Sequence, residues 1–175
     1  NAAATQVAVE QSRSMSENAR ALALINMAIS DAQASVFETK YLYRLWRPET
    51  AIRAGDTDGN LLTRGDPTFM PFVLTPCFPS YASAHGSSSG AAREVLERVF
   101  GPRHHSITLA NPAVPGVVLQ YSTFWQITSD IDDARVYGGI HFRFDQEAGA
   151  KQGKKVGSYV YRNTLRRRHG EGECP

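Results

Sequence analysis

The chain has 175 residues, and its 42% hydrophobic content is enough to bury one ordinary globular core. A net charge of +2 gives no strong electrostatic argument for a nucleic-acid partner or an anionic membrane surface. No window approaches the roughly 20 apolar residues of a membrane helix, because Asn26 interrupts the most apolar run, residues 21–29. We therefore expect no membrane span.

Helical periodicity first appears after Ser14 or Ser16, either of which can cap a helix. The helix is predicted to end at about Trp46, because Arg47 precedes Pro48 and a residue before proline disfavours helical geometry. Its apolar stripe consists of Leu22, Ile25, Ile29 and Val36.

Residues 53–79 are rich in Gly, Pro, Asp and Thr, which predicts a long irregular loop. A loop of this length inside a compact domain is unusual unless it has a role such as walling an active site. The next helix is predicted from Ser87 to Phe100, with His104 and His105 in the loop that follows.

Two further helices are predicted, the first from about Thr123 to Tyr137 and the second from about His141 to Tyr161. Four helices joined by long loops indicate an all-α helical bundle, and the sequence shows no second domain or internal repeat.

Two cations lie at helical spacing from the first apolar stripe. Lys40 is eighteen residues after Leu22, which is five helical turns, so Lys40 is predicted to point into the core. Arg47, seven residues further, is predicted to follow the same face. Because buried cations need an anionic partner, they require either salt bridges to Asp and Glu or a bound anion.

The segment 78–86 places Ser83, His85 and backbone N–H groups directly before a helix, where orphan donors favour anions. Taken alone, Ser83 is most often a helix cap and His85 a surface or core histidine. A third cation, Arg135, and a second imidazole, His141, flank a predicted helix break. Asp145, four residues after His141, can accept the Nδ1 proton and leave Nε2 free.

These residues form three spaced motifs that resemble the signature of the vanadium haloperoxidase and phosphatidic acid phosphatase superfamily. The motifs are Lys40-x6-Arg47-Pro48, Pro79-Ser80-x2-Ser83-Ala84-His85 and Arg135-x5-His141-x3-Asp145. Two positions depart from the family pattern: Ala84 stands where Gly is usual, and Ala134 where Ser often precedes the arginine. The sequence of residues 141–145 resembles soluble bacterial haloperoxidases more than membrane lipid phosphatases. The lack of predicted membrane segments agrees with this resemblance.

The resemblance implies a haloperoxidase-like bundle with a tetrahedral oxyanion site. Lys40, Arg47 and Arg135 would neutralise the oxygens of vanadate or phosphate. Ser83 and the N–H of Ala84 would add hydrogen bonds. His85 is the predicted acid–base residue and His141 the predicted metal ligand. Asp145 is predicted to support His141.

Two chemistries follow from the resemblance. In a haloperoxidase, His141 would coordinate vanadium, and hydrogen peroxide would oxidise a halide there to hypohalous acid. In an acid phosphatase, His141 would attack phosphorus to form a phosphohistidine, and His85 would protonate the leaving alcohol of a phosphomonoester. Phe37 and Phe78 resemble the aromatic residues near the oxyanion in chloride-oxidising members, although either fits a plain core. We favour the haloperoxidase.

A helical binding module without turnover, in which Ala84 or a missing N-terminal half distorts the site, is the alternative from another class. Family members are usually longer, so we expect this chain to be their C-terminal, active-site half. The sequence is compatible with a disulfide between Cys77 and Cys174 and equally with two free thiols. The sequence also leaves open a homo-oligomer and a secreted or periplasmic location.

Overall fold

The computed structural model describes residues 1–166, which form α-helices and one short β-hairpin. The helices are α1 (Ala2–Glu10), α2 (Met15–Tyr43), α3 (Pro48–Arg53), α4 (Ala84–Phe100), α5 (Phe124–Tyr137) and α6 (Arg143–Asn163). The hairpin pairs β1 (Ile107–Ala110) with β2 (Val118–Tyr121) in antiparallel register, Ile107 opposite Tyr121. The predicted all-α bundle is confirmed.

The long helix α2 begins at a capping box. The Ser14 side chain accepts from the N–H of Glu17, and the Glu17 carboxylate accepts from the N–H of Ser14. The helix ends where Arg44 adopts a left-handed conformation, with φ of 49°. The predicted end at Trp46 was therefore three residues too far. Arg47 is the N-cap of α3, so the prediction that it follows the α2 face was wrong.

Helix α4 is the centre of the bundle and packs against α2, α5 and α6. Its contact with α6 is close because Gly149 and Gly153 present no side chain there. A Cβ atom at Gly153 would overlap the carbonyl oxygen of Ser87, and one at Gly149 would overlap that of Ser83. The two helices therefore meet backbone to backbone.

The hydrophobic core lies at the end of the bundle away from the N-terminus of α4. It combines residues of α1 and α2 with side chains from α4, the hairpin, α5 and α6. Its buried members include Val7, Leu24, Ile25, Ala28, Val95, Phe100, Ile107, Phe124 and Val160. No helix in residues 1–166 combines the length and apolar character needed to cross a membrane.

Several boundaries differ from the sequence predictions. Helix α4 begins at Ala84 rather than Ser87, because Ser83 accepts from the N–H of Gly86 and caps the helix there. Helix α6 begins at Arg143, two residues after the predicted start. Helix α1 and the hairpin were not predicted. Their signals were the apolar spacing in residues 4–8 and the alternation in residues 107–110.

The predicted irregular loop is confirmed in its central and C-terminal parts. Residues 58–83 contain no helix or strand, and a short 3₁₀ turn (Gly55–Thr57) precedes them. Cys77 on this loop is exposed, and Cys174 lies outside the described residues, so neither of the two alternatives, a disulfide or two free thiols, is tested.

Candidate active site

Lys40 reaches the site from the last turn of α2 and is fully buried. Its Nζ donates to the carbonyl oxygens of Pro79, at 2.9 Å, and Ser80, at 2.8 Å. An ammonium group has three N–H donors, so one remains for a ligand. Burial, assisted by repulsion from Arg47, lowers the pKa of Lys40 to about 7, and attraction from Asp145 opposes this.

Arg47 enters from the turn between α2 and α3, and its side chain is also buried. Its Nε donates to the carbonyl oxygen of Phe78 at 2.9 Å, and its Nη1 donates to that of Ile140 at 2.8 Å. Nη2 is buried without a hydrogen-bond partner among the described residues. Burial lowers the pKa of Arg47 to about 10, so the guanidinium still carries its charge at neutral pH.

Arg135 lies in the last turn of α5, and its buried Nε has no hydrogen-bond partner within residues 1–166. Burial lowers its pKa. The chain then reverses through Gly138 and Gly139, where a φ of 74° at Gly139 suits a residue without a side chain. This turn places His141 next to the arginines.

His141 is buried directly before α6 and is held by three side chains. Its Nδ1 is 3.0 Å from Asp145 Oδ2 and 3.3 Å from Ser80 Oγ, and its Nε2 is 3.0 Å from Arg47 Nη1. Because a guanidinium only donates, Nε2 is the acceptor and Nδ1 carries the proton. Burial lowers the pKa of His141, which favours this neutral form. Its lone pair therefore lies among the cations.

The first turn of α4 supplies the third side of the site. Ser83 is fully buried, and its Oγ accepts from Gly86 N, which leaves the hydroxyl proton available to a ligand. The first N–H groups of a helix have no intrahelical acceptor, and Ala84 and His85 are the first two residues of α4. This end of the helix favours an anion.

His85 is exposed where the site opens to solvent, although protein surrounds much of its ring. That burial, together with repulsion from nearby positive groups, Arg135 foremost, lowers the pKa of His85 to about 4. The ring is therefore neutral at physiological pH and can accept a proton from a ligand.

A cavity of about 390 Å³ opens between these elements. Its wall includes Phe37, Arg47, Pro76, Phe78, Ala84, His85, Ile131, Arg135 and His141. Lys40, Ser83 and Asp145 are fully buried and lie outside this wall. Phe37 and Phe78 pack with ring centroids 5.2 Å apart, and Arg47 lies over the Phe78 ring at 5.0 Å. The structure thus brings all ten predicted residues into one region.

The charges of this region are unbalanced. Lys40, Arg47 and Arg135 converge there, whereas Asp145 is the acidic member of the predicted set and already accepts from His141. Buried donors without acceptors are costly unless a ligand or water satisfies them. The orphan donors on the two arginines and the start of α4 together fit a tetrahedral oxyanion. The Nε2 lone pair of His141, which accepts from Arg47 Nη1, lies beside them.

Lys40 leads to a pH-dependent prediction. With a free-site pKa of about 7, Lys40 must take up a proton to bind an anion above neutral pH. Sulfate stays dianionic, so we expect its affinity to fall with rising pH, by at most about 10-fold per unit between about pH 7 and pH 9. Calorimetric titration measures this fall. The Lys40→Gln variant should bind sulfate more weakly, and its affinity should change less with pH. If the pH dependence is unchanged in this variant, a group other than Lys40 takes up the proton.

Ser80 was quoted in the second motif but was not predicted as a site residue. It is fully buried, and its hydroxyl donates a short hydrogen bond to Asp145 Oδ2. A serine between proline and tyrosine carries no sequence signal for this contact, because the partner lies 65 positions away.

Comparisons with known proteins identify the family of the chain. The family model described as "VCPO second helical-bundle domain" matches residues 20–170. The vanadium chloroperoxidase of Curvularia inaequalis is 23% identical over 176 residues, covering 74% of this chain and 28% of its own length.

Solved structures show the same likeness. The crystal structure of the first bacterial vanadium-dependent iodoperoxidase superposes with a TM-score of 0.78 and 32% identity, over 91% of this chain and 37% of its own. An apo-type bacterial vanadium-dependent chloroperoxidase superposes with a TM-score of 0.66 at 20% identity, covering 79% of this chain and 35% of its own, which shows the shared fold. The chain therefore spans about a third of the length of these relatives.

Proposed function

Because the chain belongs to the family of the vanadium chloroperoxidase second helical-bundle domain, we propose that it holds the vanadate site of a vanadium-dependent haloperoxidase. The observation that carries the proposal is the set of buried arginine donors that have no partner among residues 1–166 and surround a neutral histidine. The relatives named above, a chloroperoxidase and an iodoperoxidase, make halide oxidation the favoured chemistry.

Vanadate fits these residues. Lys40, Arg47 and Arg135 would offset the charge of its oxygens, with further hydrogen bonds from Ser83 and the Ala84 N–H. His141 Nε2 would be its protein ligand, and Arg47 Nη1 would keep its bond to the Ile140 carbonyl when it gives up the imidazole. Bound vanadate would supply the Lewis-acid centre at which hydrogen peroxide is activated to oxidise a halide.

The side chains around that centre would transfer protons and orient His141. Asp145 holds the proton on Nδ1 of His141 and so keeps the Nε2 lone pair directed at the site. His85, neutral because its pKa is about 4, would accept the proton of incoming hydrogen peroxide and return it to the departing water. The balanced reaction converts hydrogen peroxide, halide and one proton into hypohalous acid and water.

We propose that the halide approaches along the aromatic wall of the cavity. Phe37 and Phe78 line the cavity beside Arg47, and the positive edges of aromatic rings tolerate an anion that is losing its hydration. The halogenation assay compares iodide, bromide and chloride, and so identifies the halide that is oxidised.

The test gives purified protein vanadate, hydrogen peroxide and each halide, and follows halogenation of a dye. In parallel, a phosphomonoester is supplied without vanadate. We expect halogenation that requires vanadate, together with negligible phosphate release. Efficient phosphate release, inhibited by vanadate and without halide oxidation, would assign the chain to the phosphatases. Oxyanion binding without either turnover would support the inactive binding module.

His85 provides the matched variant for this assay. We expect His85→Ala to bind vanadate as the wild type does but to lose halogenation by roughly 10²–10⁴-fold, the usual range for proton transfer. His104→Asn is the control, because His104 is exposed, has a φ of 65° that asparagine tolerates, and lies outside the cavity wall. Full activity in His85→Ala would exclude the proposed proton transfer.

A further inference from the structure

Ser80 connects parts of the site that come from distant segments of the chain. It lies in the loop before α4 and is fully buried. Its N–H donates to the carbonyl oxygen of Leu45 at 2.9 Å, and its own carbonyl accepts from Lys40 Nζ at 2.8 Å. Its hydroxyl donates to Asp145 Oδ2. One residue therefore contacts the first motif through its backbone and the third motif through its side chain.

The hydroxyl is one of the donors that hold the Asp145 carboxylate. Oδ2 accepts from three donors, which are Ser80 Oγ, His141 Nδ1 at 3.0 Å and the N–H of Phe142 at 3.2 Å. Oδ1 is buried without a partner in the described part of the chain. All the hydrogen bonds that fix rotation of the carboxylate thus act on one oxygen, and Ser80 supplies one of the two that come from side chains.

We propose that Ser80 is a positioning residue of the oxyanion site. Its hydroxyl fixes Asp145, and Asp145 in turn fixes the His141 ring with Nε2 towards the anion. Its carbonyl holds Lys40 on the same anion. This inference rests on the oxyanion site of the proposed function, and it adds a residue that acts without touching the ligand.

The test measures the affinity for inorganic phosphate by calorimetry, so it does not depend on turnover. We expect Ser80→Ala to weaken binding by about 10-fold, the low end for residues that orient a metal ligand. Ser80→Thr keeps a hydroxyl and should restore most of the affinity. Ser87→Ala is the matched control, because Ser87 is an equally buried serine whose hydroxyl contacts only the carbonyl of Ala32, at 3.4 Å, among the described residues. Melting temperatures show that each variant is folded.

A double-mutant cycle distinguishes positioning from a general structural effect. If Ser80 acts through Asp145, then Ser80→Ala should have little further effect in an Asp145→Asn background. Additive losses, or wild-type affinity in folded Ser80→Ala, would overturn the inference. Failure of the proposed function has a different signature: the wild type binds phosphate and the cycle behaves as described, but no halide is oxidised. Absence of phosphate binding by the wild type would overturn both.

Discussion

If the proposed function holds, we expect the replacement of His141 with alanine to empty the site of vanadium. His141 Nε2 carries the lone pair that lies among the arginines, and no other imidazole is placed in the buried part of the described site. Without it, the oxyanion keeps only charge and hydrogen bonds. We expect metal bound after dialysis to fall from about one equivalent per chain to near zero, with halogenation lost in parallel.

Elemental analysis and vanadium-51 NMR measure that loss directly. His141→Ala should still fold, because the ring lies at the end of the bundle beyond the hydrophobic core. His104→Asn should retain its metal. Stoichiometric, tightly bound vanadium in His141→Ala would refute both the ligand assignment and the haloperoxidase proposal. In a phosphatase the same change would instead remove the phosphohistidine.

Gly153→Ala will destabilise the protein, although alanine is the better helix former. At an open position of α6 this change would stabilise by roughly 1 kcal/mol. Here the new methyl group would overlap the carbonyl oxygen of Ser87, so α4 and α6 must separate. Overpacking of this kind costs about 1–3 kcal/mol and sometimes more, and backbone offers no rotamer by which to relax, so we expect about 3 kcal/mol.

Urea denaturation measures that change in the free energy of unfolding. The control is Lys154→Ala, the next residue of the same helix, whose side chain is exposed. Phosphate affinity should also fall in Gly153→Ala, because α6 carries Asp145 and α4 carries Ser83, and the N–H of Ser83 donates to the Asp145 carbonyl at 2.9 Å. A stabilised variant would show that the two helices can move apart at no cost.

The sequence was sufficient to predict the bundle where periodicity and caps act together. Ser14 and the apolar stripe define α2, and Gly138 ends α5 at the predicted residue. Eight of the ten predicted site residues fall in three short motifs with fixed spacing, and the structure brings them together. Helical spacing also placed Lys40 in the interior, since its Cα lies on the buried face of α2.

The remainder depends on contacts between distant segments. Arg44 takes a left-handed conformation without glycine, so the sequence did not mark the end of α2, and Arg47 was assigned to the wrong face. The hydroxyl of Ser80 has meaning only beside Asp145. The low pKa of His85 arises from the protein and positive charges around it, which no local pattern encodes.

The glycine contact between α4 and α6 also determines how the protein tolerates change. At Gly149 and Gly153 the close approach of these helices is limited by backbone atoms of Ser83 and Ser87 rather than by a side chain. Substitutions in the cavity wall, for instance at Ile131, are therefore expected to leave the spacing of α4 and α6 unchanged. The same contact makes these two glycines poor positions for library diversity. The cavity wall and the spacing of α4 and α6 are therefore expected to tolerate substitution independently of each other.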